Sequence, residues 1–364
     1  MSRNIVLCCD GTANSFSPDR TNVLKLASAM VKDHDRQAVY YHPGLGTRAP
    51  VGTGTAVGGT WAKVKGLALG AGFQDDVTDG YIYLMNHFRA GDRLFILGFS
   101  RGAYTARAIA GMLKLYGLIM PGNEALVPYA VQMMWDIAGA DGAAKAKQGF
   151  RLAADFRKTL AATECKPHFL GVWDTVDSVG WTSHPLALPY TRHNPDVAHT
   201  RHAVAIDERR AFYRLNWFAE EQPNLKLVWF PGVHCDVGGG YPEAESGLSK
   251  YPLEWMAEEA AAQGLLLDPE KLAEVLGKRG GDFAPPAPGP AHESLKGAWK
   301  LAELIPKARY NRTLGKLEQR ANHSRRRTMP DGSVVHDVAW SMPGTYTQRL
   351  PKGAVKLSEM HWGF

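Results

Sequence analysis

The feature that most constrains this chain is a short apolar run that ends in a serine flanked by glycines. Residues 93–107 read RLFILGFSRGAYTAR, with Gly98 and Gly102 two positions to either side of Ser100. The apolar run predicts a buried strand, and the small residues that follow predict a helix. A strand–turn–helix of this G-x-S-x-G type presents the nucleophile of serine hydrolases. The alternative interpretation is a serine that only caps a helix.

Apolar runs alternate with helical patterns along most of the chain. Further buried strands are predicted at 4–9, 38–42, 168–174 and 225–233. Helices are predicted at 21–32, 73–88, 101–117, 124–162, 199–213 and 252–266. Strands that alternate with helices favour a mostly parallel sheet with helices on both faces. Together with the serine turn, this pattern predicts an α/β fold of the α/β-hydrolase type.

A stretch rich in proline and glycine interrupts the alternation near residue 280. Because of this segment, GGDFAPPAPGPAHES, we predict a catalytic domain at 1–279 and a C-terminal appendage at 280–364. The appendage is predicted to hold one helix near 294–306 and a hairpin near 333–348. We expect it to pack on the catalytic domain, over the active-site edge.

A serine nucleophile needs a base and an acid, which in this fold class follow it in the order Ser, Asp or Glu, His. Asp174 ends a predicted strand, and His234 directly follows another strand and precedes three glycines. These positions predict that both side chains lie at the edge of the sheet that carries the nucleophile. Asp177 and Asp236 remain competing candidates for the acid, and any of these carboxylates could instead cap a turn.

The tetrahedral intermediate of ester cleavage needs two backbone N–H donors for its oxyanion. One is expected from Arg101, the residue after the nucleophile, and the second from the loop after a neighbouring strand. The turn CDGT supplies such a loop, so Gly11 or Thr12 is the predicted second donor. Asp10 would repel an oxyanion, so we expect it to fix the loop by hydrogen bonds or to bind a cation.

The charge of the chain narrows the range of partners. A net charge of +6 allows an anionic partner but does not require nucleic acid, which we do not expect to bind. The cluster Arg325-Arg326-Arg327 is typical of a solvated surface.

The cysteines and the N-terminus bear on where the chain is made. No CxxC pair occurs, so we interpret the four cysteines as reduced thiols, which suits the cytoplasm. They are Cys8, Cys9, Cys165 and Cys235. The apolar stretch in MSRNIVLCCDGT is too short for a signal peptide, and no run reaches the length of a membrane span. We therefore expect a protein that is cytoplasmic as synthesised. We also expect that it needs no cofactor.

Three other functions compete with serine hydrolysis. A metal-dependent phosphoesterase could use Asp10, His234 and Asp236, because carboxylate and imidazole are suitable metal ligands. A nucleotide-binding module could use GTGTAVGG at 52–59, although this stretch lacks the Lys-Ser/Thr of a P-loop. A non-catalytic interaction protein could keep the fold alone.

In the serine hydrolase interpretation, the glycine-rich residues 44–72 are expected to form a long loop that gates an apolar acyl chain.

Six motifs occur in an order that resembles a known family. They are DGTANS, YYHPGLGT, AGFQDDVTDGYIYL, GDRLFILGFSRGAYTAR, FLGVWDTVDSVG and FPGVHCDVGGGY. Over about residues 3–265 the chain is similar to the uncharacterised α/β-hydrolase domain family that includes the type VI secretion lipase effectors of the first group.

The resemblance implies an α/β-hydrolase fold and a triad of Ser100, Asp174 and His234. It implies a phospholipase or lipase that cuts fatty-acyl esters of glycerophospholipids through an acyl-serine intermediate. The alternative is an esterase that acts on a smaller or different ester. It also implies transient contact with a membrane surface, binding of an immunity or adaptor protein, and export by a type VI secretion system.

Overall fold

The computed structural model describes most of the chain. The described residues are 2–11, 19–44, 72–176, 180–181, 184–185, 187–304, 307–311 and 316–363. The predicted oxyanion donor Thr12, the competing acid Asp177 and nearly all of the glycine-rich loop at 44–72 lie outside these residues.

Eight strands of the described residues form one sheet in which every neighbouring pair is parallel. In chain order the strands are β1 (Asn4–Cys9), β2 (Gln37–His42), β3 (Arg93–Phe99), β4 (Pro167–Trp173), β5 (His199–Ala205), β6 (Leu225–Phe230), β7 (Val334–Val335) and β8 (Val355–Lys356). Across the sheet the order is β2-β1-β3-β4-β5-β6-β7-β8. Strand β2 lies on one side of β1, and β3 and the later strands lie on the other, so the topological switch point is between β1 and β3. Sheets of this type bind ligands at the carboxyl ends of the strands beside the switch point.

Helices cover both faces of this sheet. Within the described residues they are α1 (Asn22–Ala29), α2 (Phe73–His87), α3 (Arg101–Tyr116), α4 (Val127–Ala138), α5 (Ala143–Leu160), α6 (His234–Gly238), α7 (Lys250–Ala262), α8 (Pro269–Val275) and α9 (Ala298–Ala302). Ile5 and Leu7 of β1 pack with helices α2 to α5, whereas Val6 and Cys8 pack on the other face with α1 and α7. The predicted mostly parallel sheet with helices on both faces is confirmed. Each described helix is too short or too polar to cross a bilayer.

The central strands are continuous apolar runs because both of their faces are covered. All residues of β1 and all but the first of β3 are buried, as a parallel strand between two helical layers requires. Among the described residues, three small antiparallel ribbons lie outside the main sheet. They pair Leu118–Ile119 with Ala161–Thr163, Gly180–Trp181 with His184–Pro185, and Lys307–Asn311 with Lys316–Arg320.

The predicted helix at 199–213 is wrong. His199–Ala205 forms β5, which lies between β4 and β6. The polar residues Arg201 and His202 of this strand are both buried. Arg201 is neutralised by Glu259 and donates to two backbone carbonyls. A short buried strand and a buried helix cannot be told apart by periodicity alone.

The hairpin predicted near 333–348 is also wrong. Val334–Val335 instead forms β7, parallel to β6, and a 3-10 turn follows at Asp337–Ser341. Strand β8 pairs with β7, so the segment after residue 280 extends the main sheet by two short strands. Two residues carry too little alternation for the sequence to reveal a strand. The helix predicted near 294–306 is present as the shorter α9.

Candidate active site

Ser100 occupies a strained turn between β3 and α3. Its backbone has a φ of 60° and a ψ of −121°, a conformation that residues other than glycine rarely adopt. Its N–H donates to Trp173 O at 3.1 Å, which joins the turn to the end of β4. The residue is buried, with 7% of its surface exposed. Strain of this kind is typical of a turn that presents a nucleophile at the carboxyl edge of a sheet.

The two glycines beside Ser100 are required because the turn is crowded. A Cβ on Gly98 would lie 2.5 Å from Gly102 O, and one on Gly102 would lie 2.2 Å from Cys9 O. Both obstacles are backbone atoms, which cannot move aside as a flexible side chain would. The glycine spacing therefore reflects the close packing of α3 against the ends of β1 and β3.

We expect Gly102→Ala to destabilise the protein by about 3 kcal/mol. Alanine has the higher helix propensity by about 1 kcal/mol, so without a clash the substitution would be stabilising. At Gly102 the clash with the Cys9 carbonyl decides the sign instead. Urea unfolding measures the change, with Gly289→Ala as the control because a Cβ there meets nothing within 4 Å. An unchanged unfolding midpoint for Gly102→Ala would contradict this packing.

His234 lies at the start of α6, with its imidazole between a hydroxyl and a carboxylate. Its Nε2 is 2.8 Å from Ser100 Oγ, and its Nδ1 is 2.6 Å from Asp174 Oδ2. The rings of Phe99 and Tyr213 pack against the imidazole, with centroids 4.6 and 4.7 Å away. These contacts hold the ring in one orientation, so that each nitrogen keeps its own partner.

Gly238, in the helix that begins at His234, is required by close packing against Phe99. A Cβ on Gly238 would lie 1.8 Å from the nearest carbon of the Phe99 ring. Because that ring also contacts the imidazole, glycine at 238 lets α6 approach the nucleophile turn closely. The His234 N–H donates to Glu208 Oε2 at 3.2 Å, and Glu208 is paired with Arg210.

Asp174 is fully buried at the end of β4 and accepts hydrogen bonds on both oxygens. Oδ1 accepts from the Ala205 N–H at 2.9 Å, and Oδ2 faces His234. The backbone φ of 41° is positive, which marks local strain as it does at Ser100. The structure therefore brings together the predicted nucleophile, base and acid.

Asp236, the competing acid, is engaged elsewhere. One of its oxygens accepts from the Val233 N–H at 2.9 Å, and the other is 2.6 Å from Nδ1 of His292. Its carboxylate fixes the start of α6 and ties it to the segment around residue 292. The structure does not bring Asp236 to the imidazole of His234.

One residue beside Asp174 was not predicted from the sequence. Arg327 contacts both carboxylate oxygens, with Nη1 donating to Oδ1 and Nη2 donating to Oδ2 at 3.0 Å. It belongs to the cluster Arg325-Arg326-Arg327, which we expected to be solvated. That expectation is wrong for Arg327, whose side chain is 9% exposed. The contact joins residues 153 positions apart, so no local pattern signals it.

Neighbouring charges keep Asp174 ionised, and burial favours a neutral His234. Burial alone would raise the pKa of the Asp174 carboxyl, but Arg327 and His234 outweigh burial and hold that pKa well below its usual value. Burial lowers the pKa of His234, against the opposing effect of Asp174. Burial would also raise the pKa of Glu208, but Arg210 lowers it to about 2. A neutral imidazole is the form that can take a proton from a serine.

Two of the predicted oxyanion donors, Arg101 and Gly11, lie within the described residues. Arg101 begins α3, so its N–H belongs to the first turn of that helix. The Gly11 N–H donates to Asp10 Oδ1 at 2.7 Å. Asp10 Oδ2 accepts from Thr21 Oγ1 at 2.5 Å and from Tyr41 OH at 2.7 Å. Asp10 thus holds its loop by hydrogen bonds, the first of the two roles considered for it.

The alternative metal ligands Asp10, His234 and Asp236 are not arranged as one site. Each has the separate hydrogen-bond partners described above. Throughout the part of the chain that the structure describes, no three His, Cys, Asp or Glu side chains are grouped so as to hold a metal ion. The glycine-rich stretch at 52–59 lies outside the described residues.

Comparison with known families gives a match over most of the chain. A family model described as the type VI secretion system phospholipase effector Tle1-like catalytic domain matches residues 3–259. The chain belongs to the Tle1-like phospholipase effector family. Ser100, Asp174 and His234 of this Tle1-like chain all lie within the matched residues, and Arg327 lies beyond them.

Three individual proteins that the chain resembles share 35% identity or less with it, and the matches cover about half or less of their length. The chain is 35% identical over 224 residues to the uncharacterized protein YEL023C of Saccharomyces cerevisiae, a match that covers 58% of this chain and 32% of the yeast protein. The match thus spans about a third of that relative. An uncharacterized protein from Pseudomonas aeruginosa is 21% identical, with a TM-score of 0.43 over 73% of this chain and 47% of that one. The Tle1 effector bound to the VgrG spike of the type 6 secretion system is 18% identical, with a TM-score of 0.37 over 68% and 53%.

Proposed function

We propose that this Tle1-like chain is a serine hydrolase that cleaves carboxylic esters of phospholipids through an acyl-Ser100 intermediate. The observation that carries the proposal is the continuous line of hydrogen-bond contacts from Ser100 Oγ through His234 to Asp174, with Ser100 in a strained turn. Membership of a phospholipase effector family supports phospholipids as the substrate class.

In this mechanism His234 is the general base. Its Nε2 takes the Oγ proton as Ser100 attacks the ester carbonyl, and Asp174 stabilises the imidazolium that forms. The tetrahedral intermediate collapses when the imidazolium gives its proton to the leaving lysophospholipid alcohol, and the acyl group stays on Ser100. A water molecule activated by His234 then attacks the acyl-enzyme and releases the fatty acid.

The negative charge that develops on the carbonyl oxygen needs two backbone donors. We assign the first to the Arg101 N–H, at a helix N-terminus whose dipole also favours an anion. The second is assigned to the loop after β1. The two candidates there stay Gly11, whose N–H is directed at Asp10 Oδ1, and Thr12.

The C-terminal segment, residues 280–364, carries two exposed leucines. Leu301 and Leu304 are 70% and 66% exposed. Trp299, on the same helix as Leu301, packs against Tyr213, and Tyr213 contacts His234. The helix that carries Leu301 thus reaches a residue that contacts His234, and exposed leucines on and just after this helix suit transient contact with a lipid surface. The net charge of +6 favours an anionic surface.

Family membership also supports a route out of the cell of synthesis. We propose that the chain is made in the cytoplasm and exported by a type VI secretion system, where a spike, adaptor or immunity protein would bind it. Disappearance of the protein from culture supernatants when the secretion apparatus is inactivated tests this route, and unchanged export would contradict it.

A fluorophosphonate probe tests the mechanism directly. We expect one labelled residue, identified as Ser100 by peptide mass spectrometry, and a labelling rate that a chelator does not change. Hydrolysis that stops with chelator and continues after Ser100 is fully labelled would favour the metal-dependent phosphoesterase instead.

Vesicles of phosphatidylglycerol and a short-chain soluble ester together test the substrate class. We expect release of fatty acid and lysophospholipid from the vesicles. The double variant Leu301→Ser/Leu304→Ser should lower hydrolysis of vesicles about 10-fold and leave the soluble ester unaffected. Leu152→Ser is the control, since Leu152 is exposed on α5, in the catalytic part of the chain. An equal loss on both substrates would argue against a lipid-contact role for the two leucines.

A further inference from the structure

Arg327 reaches the candidate triad from outside the residues that the family model matches. Its guanidinium forms a two-pronged pair with Asp174, with Nη1 on Oδ1 and Nη2 on Oδ2 at 3.0 Å. It also donates to Ala205 O at 3.2 Å and to Tyr213 O at 2.6 Å, which fixes its plane. The family match ends at residue 259, so this contact comes from the part of the chain beyond the match.

The pair compensates a buried charge. Asp174 is completely buried, and the Arg327 side chain is nearly so. When His234 is neutral, the hydrogen bonds from the imidazole and from the Ala205 N–H leave the carboxylate with its full negative charge. A buried charge without a counter-charge is strongly unfavourable. Arg327 supplies that counter-charge with two-pronged geometry.

The same guanidinium opposes protonation of His234. A cation bound to Asp174 offsets part of the attraction between that carboxylate and an imidazolium. The other charged groups that face the imidazole are Glu208, which accepts from the His234 N–H, and Arg210, which is paired with Glu208. Glu208 and Arg210 act on the pKa of His234 in opposite directions, and Asp174 opposes the larger effect of burial. Arg327 acts on His234 through its pair with Asp174.

Three other titratable groups nearby remain neutral. Burial lowers the pKa of His202 to about 3 and raises the pKa of Cys235 to about 12. Burial also raises the pKa of the Tyr213 phenol. None of the three therefore changes charge in the range where His234 titrates as a base.

We propose that Arg327 is a positioning residue of this active site, which holds the Asp174 carboxylate ionised and in place and sets the lower pH limit of activity by opposing protonation of His234. The C-terminal segment thereby completes the active site in addition to packing beside it. This inference rests on the proposed serine hydrolase function, in which neutral His234 is the working base.

The test compares the wild type with Arg327→Gln, Arg327→Lys and the control Arg326→Gln. Arg326 is a matched neighbour, because its side chain is 42% exposed and lies 3.9 Å from Asp207. The first readout is the pH dependence of the fluorophosphonate labelling rate. The second is the NMR titration of the His234 ring, assigned by its loss in His234→Gln. The NMR readout needs no turnover, so a failure of the proposed function cannot be mistaken for a failure of this inference.

In Arg327→Gln we expect the labelling rate at its optimum to fall about 10- to 100-fold. The acidic limb of the rate profile and the pKa of His234 should both rise by about one pH unit, because the opposing charge is gone. Arg327→Lys keeps the charge and loses the two-pronged geometry, so it should keep the limb in place and lose part of the rate. Arg326→Gln should match the wild type in both readouts.

An unchanged pKa of His234 in Arg327→Gln, with a rate that falls only as far as the folded fraction, would assign Arg327 a purely structural role and overturn the inference. Where Arg327→Gln does not fold, Arg327→Lys decides. A wild-type rate in Arg327→Lys overturns the inference, and a lower rate with an unmoved limb supports it. A wild type that is never labelled, but whose His234 pKa depends on Arg327, would overturn the proposed function and support the assigned charge balance.

Discussion

Ser100→Ala is expected to lower the turnover of an ester substrate by about 10⁶-fold. The Oγ atom lies 2.8 Å from His234 Nε2 and is the atom that bonds to the acyl group in the proposed mechanism. Without Oγ the acyl-enzyme cannot form, and there is no hydroxyl proton for His234 to accept. The residual rate would come from transition-state binding by the oxyanion donors. Hydrolysis of a soluble short-chain ester, followed over many hours, measures the difference.

Two controls accompany this variant. Ser333→Ala removes an exposed hydroxyl that donates to Pro330 O at 2.6 Å, so it should leave turnover unchanged. Thermal unfolding should show that Ser100→Ala is folded. If the variant keeps more than about a tenth of the wild-type turnover, an acyl-Ser100 intermediate is ruled out.

The nucleophile turn could be predicted from the sequence because its constraints are local. Gly98, Ser100 and Gly102 belong to one turn, and the glycines are required by backbone atoms that this turn and the adjacent β1 bring close. The candidate acid and base followed from a rule about the whole sheet. The carboxyl ends of parallel strands share one edge, so the residues that follow β4 and β6 lie on the same side as the turn after β3.

Contacts between distant segments could not be predicted in this way. Arg327 reaches Asp174 across 153 positions, whereas its sequence neighbours Arg325 and Arg326 are exposed, as charged clusters usually are. Strand β5 was missed for a related reason, since its buried Arg201 is neutralised by Glu259, far along the chain. In both cases an ion pair between distant residues makes a charged side chain compatible with burial.

The C-terminal segment has more contact with the catalytic part than its sequence indicated. Strands β7 and β8 extend the main sheet beyond β6, Trp299 packs on Tyr213, and Arg327 binds Asp174. A proline- and glycine-rich stretch therefore marks a change of local pattern in this chain without separating the residues on its two sides. The domain boundary at 279 and 280 stays a prediction.

Asp174→Asn is expected to lower turnover by about 10⁴-fold. The amide has nearly the shape of the carboxylate, so the Ser100 and His234 side chains should keep their places. An asparagine NH₂ group facing Nδ1, however, favours the tautomer whose proton lies on Nε2, and that imidazole cannot accept the proton of Ser100. The amide also lacks the charge that stabilises an imidazolium. Hydrolysis of the soluble ester measures the loss, with Asp177→Asn as the matched control.

The double variant Asp174→Asn/Arg327→Gln separates the loss of turnover from the loss of stability. Asp174→Asn alone leaves Arg327 with a buried, unpaired charge, which should destabilise the protein by about 3–5 kcal/mol in urea unfolding. Removing that charge as well should restore much of the stability and none of the turnover, since His234 still lacks its carboxylate. Full turnover in Asp174→Asn together with loss in Asp177→Asn would contradict this assignment and make Asp177 the acid.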